Sequence, residues 1–490
     1  MMRRLRPATA CIATPCIAIA CIAIASNAIA CVVITLSATR LSAQAAVDTS
    51  TSATSATGAG SVAWQPQVLG TQLNVIGQRL AAFHSPYAGT NSLVASGDRG
   101  ISHVYGVYLG AQPFAWGAQG PRQTRLEAYL DIEMARGHGV SSATGLAGVT
   151  NGDVLRAGSA DLGNGPYVAR MFVRLVQPLG DGKQVDTLTR LPDQLASVHS
   201  AHRLEITAGK LAASDLFDLN RYANTTRSQF MNWSLFQNTA WDFAADTRGY
   251  TNGVAVTWVT PRWTLRAGSF QMPREANGNK FDSDLRRARG DNIELTYSPL
   301  GARAPIVRLL GFVNHARMGN YADALTLARR MDSVPDIVAD DRPGRGKRGW
   351  GINVEQPLAD KGETGAFLRV GWNDGANESF AFTEVDRHLS AGMQVSGVAW
   401  HRRNDRLGLA VVQHGIVAVH QRYLAAGGLG FLLGDGRLTY GHEEIFETYY
   451  RVQVGTSAQI SPDVQIVRNP GYNRDRGPAT VASVRVNLRY

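Results

Sequence analysis

The sequence predicts an all-β protein, a transmembrane antiparallel β-barrel of sixteen strands with long extracellular loops. Three observations predict it. Short segments of strictly alternating apolar and polar residues recur from Trp64 to the C-terminus, the mark of strands with one greasy and one wet face. The wet faces carry full charges, with almost no large apolar residue among them. Past residue 45, no stretch approaches the ~18–20 apolar residues that a membrane helix needs.

The N-terminal segment stands apart. All four cysteines (Cys11, Cys16, Cys21 and Cys31) lie in it, behind Arg3, Arg4 and Arg6 and within Ile/Ala/Val-rich sequence. Ala43-Gln44-Ala45 fits a small-x-small cleavage site, so residues 1–45 read as a secretory signal peptide. Its cleavage would leave a chain with no cysteine, hence no disulfide or thiol chemistry. The net charge of +10 would fall to +6, because four arginines and no acids are removed. Those charges are scattered, which gives no support to a nucleic-acid partner. Residues 46–63, AVDTSTSATSATGAGSVA, form a small, polar, disordered leader, and 64–490 form the barrel domain.

The strands follow in order. In QTRLEAYLDIEMA, Leu126, Ala128, Leu130, Ile132 and Met134 face one way, and Glu127, Asp131 and Glu133 the other. RLEITAG sets Leu204 and Ile206 against Arg203 and Glu205, and DNIELTY sets Ile293, Leu295 and Tyr297 against Glu294. WGINVE, AFLRVGWN (with Arg369 on its wet face) and YRVQVG continue the pattern. A soluble barrel could show the same alternation, but a closed barrel of this many strands encloses a lumen rather than a packed core. Trp and Tyr recur near strand ends (Trp258, Trp263, Trp350, Trp372, Trp400, Tyr423 and Tyr490) as an interfacial girdle would. The stretch from Trp64 allows about 27 residues per strand with its connection, which suits alternating short turns and long loops. The last segment, VASVRVNLRY, alternates to its final aromatic residue. An arginine on the lipid face at midplane would cost about 2–4 kcal/mol, so Arg485 is expected to face the lumen.

Six longer stretches in matching order resemble one family. They are FHSPYAGTNSL (83–93), TAGKLAASDLFDLNRYANTTRSQFMNWSLF (207–236), DFAADTRGYTNG (242–253), RWTLRAGSF (262–270), YLAAGGLGFLLGDG (423–436) and PDVQIVRNPGYNRDRGPATV (462–481). The chain is similar to the carbohydrate-selective porins (OprB-like). That resemblance implies a sixteen-stranded barrel in the bacterial cell outer membrane that passes small sugars passively through a selective constriction. It implies small carbohydrates and outer-membrane lipid as partners. A signal peptide with a C-terminal strand ending on an aromatic resembles the assembly signal of bacterial outer-membrane barrels, so the barrel-assembly machinery is expected to engage that strand; the oligomeric state is a monomer or a homotrimer. A barrel for polysaccharide export or a cell-envelope role is the alternative. The connections at 136–167 and 317–349 depart from the family.

Sugar recognition needs a flat aromatic surface for the C–H face and polar groups for the hydroxyls. The connection 211–251 is densest in both. Its substrate-binding and constriction candidates are Asp215, Asp218, Asn220, Arg221, Arg227, Trp233, Trp241 and Tyr250. The same aromatics could instead be the loop's private core. The pore-lining candidates are Glu127, Asp131, Glu133, Arg170, Arg203, Glu205, Glu294, Arg369 and Arg485, whose mixed signs suit neutral polar solutes. No catalytic, metal or cofactor site is expected. GRGKRG (344–349) sits in loop-like sequence before a strand, whereas a nucleotide motif follows one. GHEEIFE lacks the second histidine of a zinc HExxH motif. His414 and His420 lie in strand-like sequence without ligand spacing.

Overall fold

The computed structural model describes residues 67–154, 162–163, 165–301 and 303–490. The signal-peptide and leader assignments fall outside them. Sixteen strands close into one antiparallel barrel: β1 (Gln67–Leu80), β2 (Asp98–Gly117), β3 (Gln123–His138), β4 (Tyr167–Pro178), β7 (Arg203–Leu211), β8 (Thr251–Val259), β9 (Trp263–Gln271), β10 (Arg289–Tyr297), β11 (Ile306–Met318), β12 (Arg342–Ala359), β13 (Thr364–Asn373), β14 (Arg387–Gly397), β15 (Arg402–Gly415), β16 (Glu443–Val454), β17 (Ala458–Arg468) and β18 (Ala479–Arg489). β5 (Val185–Leu188) and β6 (Ser197–Ser200) form a separate hairpin. Each barrel strand pairs with its neighbour in sequence, and β18 returns to β1 with Val484 opposite Gly77 and Leu488 opposite Leu73. Closure leaves no sheet edge, so the backbone polar groups can be satisfied inside lipid.

The pleat sorts side chains as the alternation requires. In β18 the Val484 and Leu488 side chains are exposed on the outer surface, while Ser483, Arg485 and Asn487 are buried inside. The same holds for Ile293 and Leu295 against Glu294 on β10, and for Leu368 against Arg369 on β13. This is the reverse of a soluble core and suits a barrel whose outer surface meets acyl chains. Among the described residues no helix is long and apolar enough to cross a membrane.

Connections alternate. At one rim, tight turns join β2 to β3, β8 to β9, β12 to β13, β14 to β15 and β16 to β17; at the other rim lie the long connections. Two of the long connections contain helices that contact one another, α1 (Tyr321–Met331) and α2 (Ala418–Ala425). The Asn320 side chain caps α1 by accepting from the Ala322 and Asp323 amides, which satisfies orphan donors of the first turn. Tyr321 stacks on His420 with centroids 4.1 Å apart. Against the alternation, the connection between β4 and β7 at the tight-turn rim is long. It contains the β5–β6 hairpin and tucks Leu195 inward, where the Leu195 amide donates to the Tyr129 hydroxyl at 3.2 Å.

Four details differ from the sequence reading. GRGKRG lies within β12, which pairs with β11 along that stretch, because this hairpin continues past the ends of β10 and β13. Tyr423 is no girdle residue; it is buried in α2, and its hydroxyl accepts from the Ile337 amide at 3.0 Å. His420 is helical rather than strand-like. The inner wall also carries large apolar residues, namely Phe172, Phe270, Phe312, Phe367 and Tyr449, all buried. They are inside because folded connections, not water, lie against them.

The outer face gives a direct test. Val484→Arg, in the middle of β18, is expected to cost about 2–4 kcal/mol and to reduce the heat-modifiable folded band on unboiled gels, while Val484→Leu leaves it intact. Equal folded yields for both variants would place this face away from lipid.

Candidate functional site

The connection 212–250 leaves β7 and folds into the barrel, where almost every residue from Phe217 to Tyr250 is buried or half-buried. A loop inside a lumen has many peptide groups to satisfy, and charged side chains of the wall satisfy them. Arg369 on β13 donates from Nη1 to the Leu235 carbonyl at 2.8 Å, and from Nη2 to those of Asp218 and Ala223 at 3.0 and 2.8 Å. Its Nε lies 3.1 Å from the Asp218 carboxylate. Arg485 on β18 donates to the Thr226 and Gln229 carbonyls at 2.5 and 2.7 Å. Glu447 on β16 accepts from the Met231 and Asn232 amides at 2.5 and 3.0 Å, and Glu294 on β10 accepts from the Asp218 amide at 2.7 Å. Asp218 takes a left-handed backbone (φ 58°), which Asp tolerates better than most residues. Its carboxylate there also accepts from the Asn238 amide and the Asn353 side chain, both at 2.7 Å.

The wall aromatics complete the attachment. Phe217 meets Phe270 edge-on at 6.0 Å, and Phe230 meets Tyr449 edge-on at 5.0 Å. Trp241 is buried in the same core and donates from Nε1 to Asn292 Oδ1 at 2.9 Å.

What remains of the lumen is a cavity of about 1050 Å³ on the side of β1–β4. Its wall side includes Gln72, Tyr108, Glu133, Tyr167, Arg170 and Arg174. Its loop side includes Asp215, Asn224, Arg227, Trp233, Phe236, Gln237 and Arg248–Tyr250. Phe382, from the connection between β13 and β14, joins the lining, and Arg190–Gln194 and Arg489–Tyr490 lie toward the tight-turn rim. Two ion-pair clusters bind loop to wall across this space. Arg170 grips Asp215 with two bonds of 2.6 and 2.7 Å. Arg227 reaches Glu133 at 2.9 Å and Asp153 at 3.1 Å, and also donates to the Tyr108 hydroxyl at 2.9 Å. Burial opposes the charge on Arg227, but Asp153 and Glu133 outweigh it and hold the guanidinium above its ordinary range. Tyr250 donates to Glu133 at 2.6 Å; burial, then Glu133, pushes its phenol well above the usual value. Eight arginines line the cavity against five carboxylate side chains (Glu133, Asp153, Asp193, Asp215 and Glu355), so its field is net positive.

The structure brings Asp215, Asn220, Arg221, Arg227, Trp233, Tyr250, Glu133 and Arg170 to this cavity. It does not bring Asp218, Trp241, Glu294, Arg369 or Arg485 there. All five lie inside the barrel, but the packing of the folded loop against the wall covers them. Asn220 spends its side chain on Asn353 at 2.7 Å, and Arg221 pairs with Glu363 at 2.8 Å near the β12–β13 turn. Glu127 and Asp131 are buried beside Arg174 and Arg170, respectively. Arg203 and Glu205 pair with each other at 2.6 Å near the tight-turn rim, and Arg203 also with Asp186 of the β5–β6 hairpin. Among the described residues, no group of side chains could hold a metal ion.

Sequence reasoning missed Phe382, Tyr167 and Asp153. Phe382 stacks on Trp233 at 4.4 Å with planes 17° apart, and is the more exposed of the two. Arg248 lies 4.5 Å over the Tyr167 ring. Nothing in SFAFTE marks Phe382, which arrives from a separate loop.

Residues 122–490 match the family model described as "Carbohydrate-selective porin, OprB family". Among solved structures, the Pseudomonas putida OprB structure covers 86% of this chain and 94% of its own, at 15% identity and a TM-score of 0.62. Salmonella typhi OmpF is less similar, at 9% identity and a TM-score of 0.46 over 86% of this chain and 97% of its own. A BenF-like porin from Pseudomonas fluorescens gives 10% identity and 0.40 over 87% and 98%. No curated protein sequence matches the chain.

The loop's attachment is testable through one residue. Arg369→Met leaves the Asp218 carboxylate buried without its cation, which costs about 3–5 kcal/mol. Expected are a lower unfolding midpoint and a larger, noisier open-channel conductance in planar bilayers. Unchanged conductance would mean that the loop holds its place without Arg369.

Proposed function

As a member of the OprB family of carbohydrate-selective porins, this chain is a sugar-selective diffusion channel of the bacterial outer membrane, and we propose that selection is made in the cavity between β1–β4 and the loop 212–250. The observation that carries this reading is the pairing of the Trp233–Phe382 stack with charged and amide groups around one cavity. A pyranose has an apolar C–H face and a hydroxyl edge. The half-buried Phe382 ring offers a surface for the face. Asp153, Asp215, Asn224, Gln237, Arg170 and Arg248 offer acceptors and donors for the edge.

Trp233 acts by backing Phe382, since one of its faces is already occupied. The Arg170–Asp215 and Arg227–Glu133 pairs orient a hydroxylated solute without trapping it, because each of these four charges already has a partner. Weak binding of this kind lets a solute enter and leave. The net positive lining adds a modest preference for anions over cations. Delivery is proposed to use cleavage of residues 1–45 as a signal peptide. Insertion is proposed to use β18 as the strand that the barrel-assembly machinery recognises, with Tyr490 as its exposed aromatic.

Sugar-induced current block in planar bilayers tests the assignment. Phe382→Ala and Trp233→Ala are expected to weaken the block about threefold to tenfold, the worth of one aromatic contact. Trp241→Ala is expected to lower stability by about 3–5 kcal/mol yet keep a measurable block in the folded fraction. Full block in both Phe382→Ala and Trp233→Ala would remove the stack from the selective site.

A further inference from the structure

The register fixes which side chains meet the membrane, and at the long-loop ends of the strands many of them are cationic. On β1 and β2, Arg79 and Arg99 lie directly opposite one another. They share the outward face of Gly77 and Ile101, and both are exposed, one position from the strand ends. On β2 and β3, His103 opposes Arg136 on that same outward face. On the far wall Arg348 of β12 and Arg387 of β14 lie toward the same rim, and Arg387 stacks 5.1 Å over Trp372. At the tight-turn ends the outward positions are aromatic instead, as with Trp258, Trp263 and Tyr297. Among the described residues neither Arg79 nor Arg99 makes a salt bridge with an acid. Like charges directly opposed on paired strands destabilise the pair, so this arrangement has a cost that an anion between them would remove.

We propose that this rim is a docking collar for phosphate-bearing lipid headgroups, with Arg79 and Arg99 as its tightest contact. Long loops face outward in barrels of this kind, which places the collar at the headgroups of the outer leaflet. Directly below it the surface is apolar, with Ile101, Tyr105 and Val107 all exposed. A molecule with a phosphate above and acyl chains below therefore fits both levels at once. A soluble phosphate would use only the upper one. On the opposite wall, a groove of about 490 Å³ between Ile293, Gly311, Val313, Trp350 and Trp372 opens beside Arg348 and suits an acyl chain in the same way. Asp291 also lines that groove but is neutralised by Arg289 at 2.8 Å.

The test is binding of bisphosphorylated lipid A, dephosphorylated lipid A and inorganic phosphate to the folded protein in neutral detergent, read by native mass spectrometry. Wild type is expected to retain the phosphorylated lipid and to lose it as salt rises. Each cation near a membrane surface contributes a factor of about five, so Arg79→Gln/Arg99→Gln should bind about thirtyfold more weakly and each single variant about fivefold. The Arg79→Lys/Arg99→Lys variant should retain most of the affinity, since charge is kept. Inorganic phosphate should not displace the lipid. Equal affinity of wild type and the Gln variants, or of the two lipids, would overturn the proposal. Displacement by inorganic phosphate would overturn its assignment to a lipid. Heat-modifiable migration of every variant confirms that folded barrels are being compared.

Discussion

The structure depends on one constraint: the connection 212–250 runs through the inside of a barrel, and its peptide groups must be bonded there. Lipid supplies no partners outside, and the space inside is too narrow for bulk water along the loop. The wall solves this with charges. Arg369 takes three carbonyls, Arg485 two, Glu447 two amides and Glu294 one. Charge-assisted bonds of this kind are stronger than neutral ones, and Arg369 is itself satisfied by the backbone and the Asp218 carboxylate that it holds. The charges that the sequence places on the wet face therefore serve two ends. Some anchor the loop, and others remain at the water-filled cavity.

That division positions the proposed selective site. Because most of the loop packs against β10–β18, the free lumen is left chiefly along β1–β4, reaching across to Arg308 and Glu355 on β11 and β12. The Arg170–Asp215 and Arg227–Glu133 pairs join loop to wall at its margin. The cavity is therefore lined by the barrel wall, by the loop 212–250 and by the connection that delivers Phe382. A wide barrel with charged walls cannot distinguish a neutral sugar from water. A cavity bounded by an aromatic ring and fixed polar pairs offers both kinds of contact that the proposed selection needs, and passage requires those contacts to stay weak.

Much of the fold was legible because the period-2 pattern in a barrel is read by two different solvents. Alternation in β3, β10, β13 and β18 located strands and assigned faces correctly, down to Arg485 pointing inward. The pattern could not say what an inward side chain would meet. In sequence, Arg369 and Glu294 look like Arg170 and Glu133, yet the first two lie under the loop and the second two border the cavity. The inward Phe270, Phe312 and Phe367 were the missed signal, since an aromatic on a wet face implies something folded against it. Trp233 and Trp241 likewise share a segment and a composition. Their separation into cavity and core follows from the loop's path, which Asp218 sets through Arg369 and other wall residues far away in sequence. Phe382 had no local signal at all, because its partner lies about 150 residues earlier in the chain.

Wall charges hold 212–250 as part of the barrel rather than as a loop hanging into it. Hydrogen–deuterium exchange of the folded protein tests this at named amides. Met231, Asn232, Asp218 and Asn238 donate to buried carboxylates, so they are expected to be protected to the level of the β16 and β18 ladders. Rapid exchange of these four amides alongside protected strands would contradict the account.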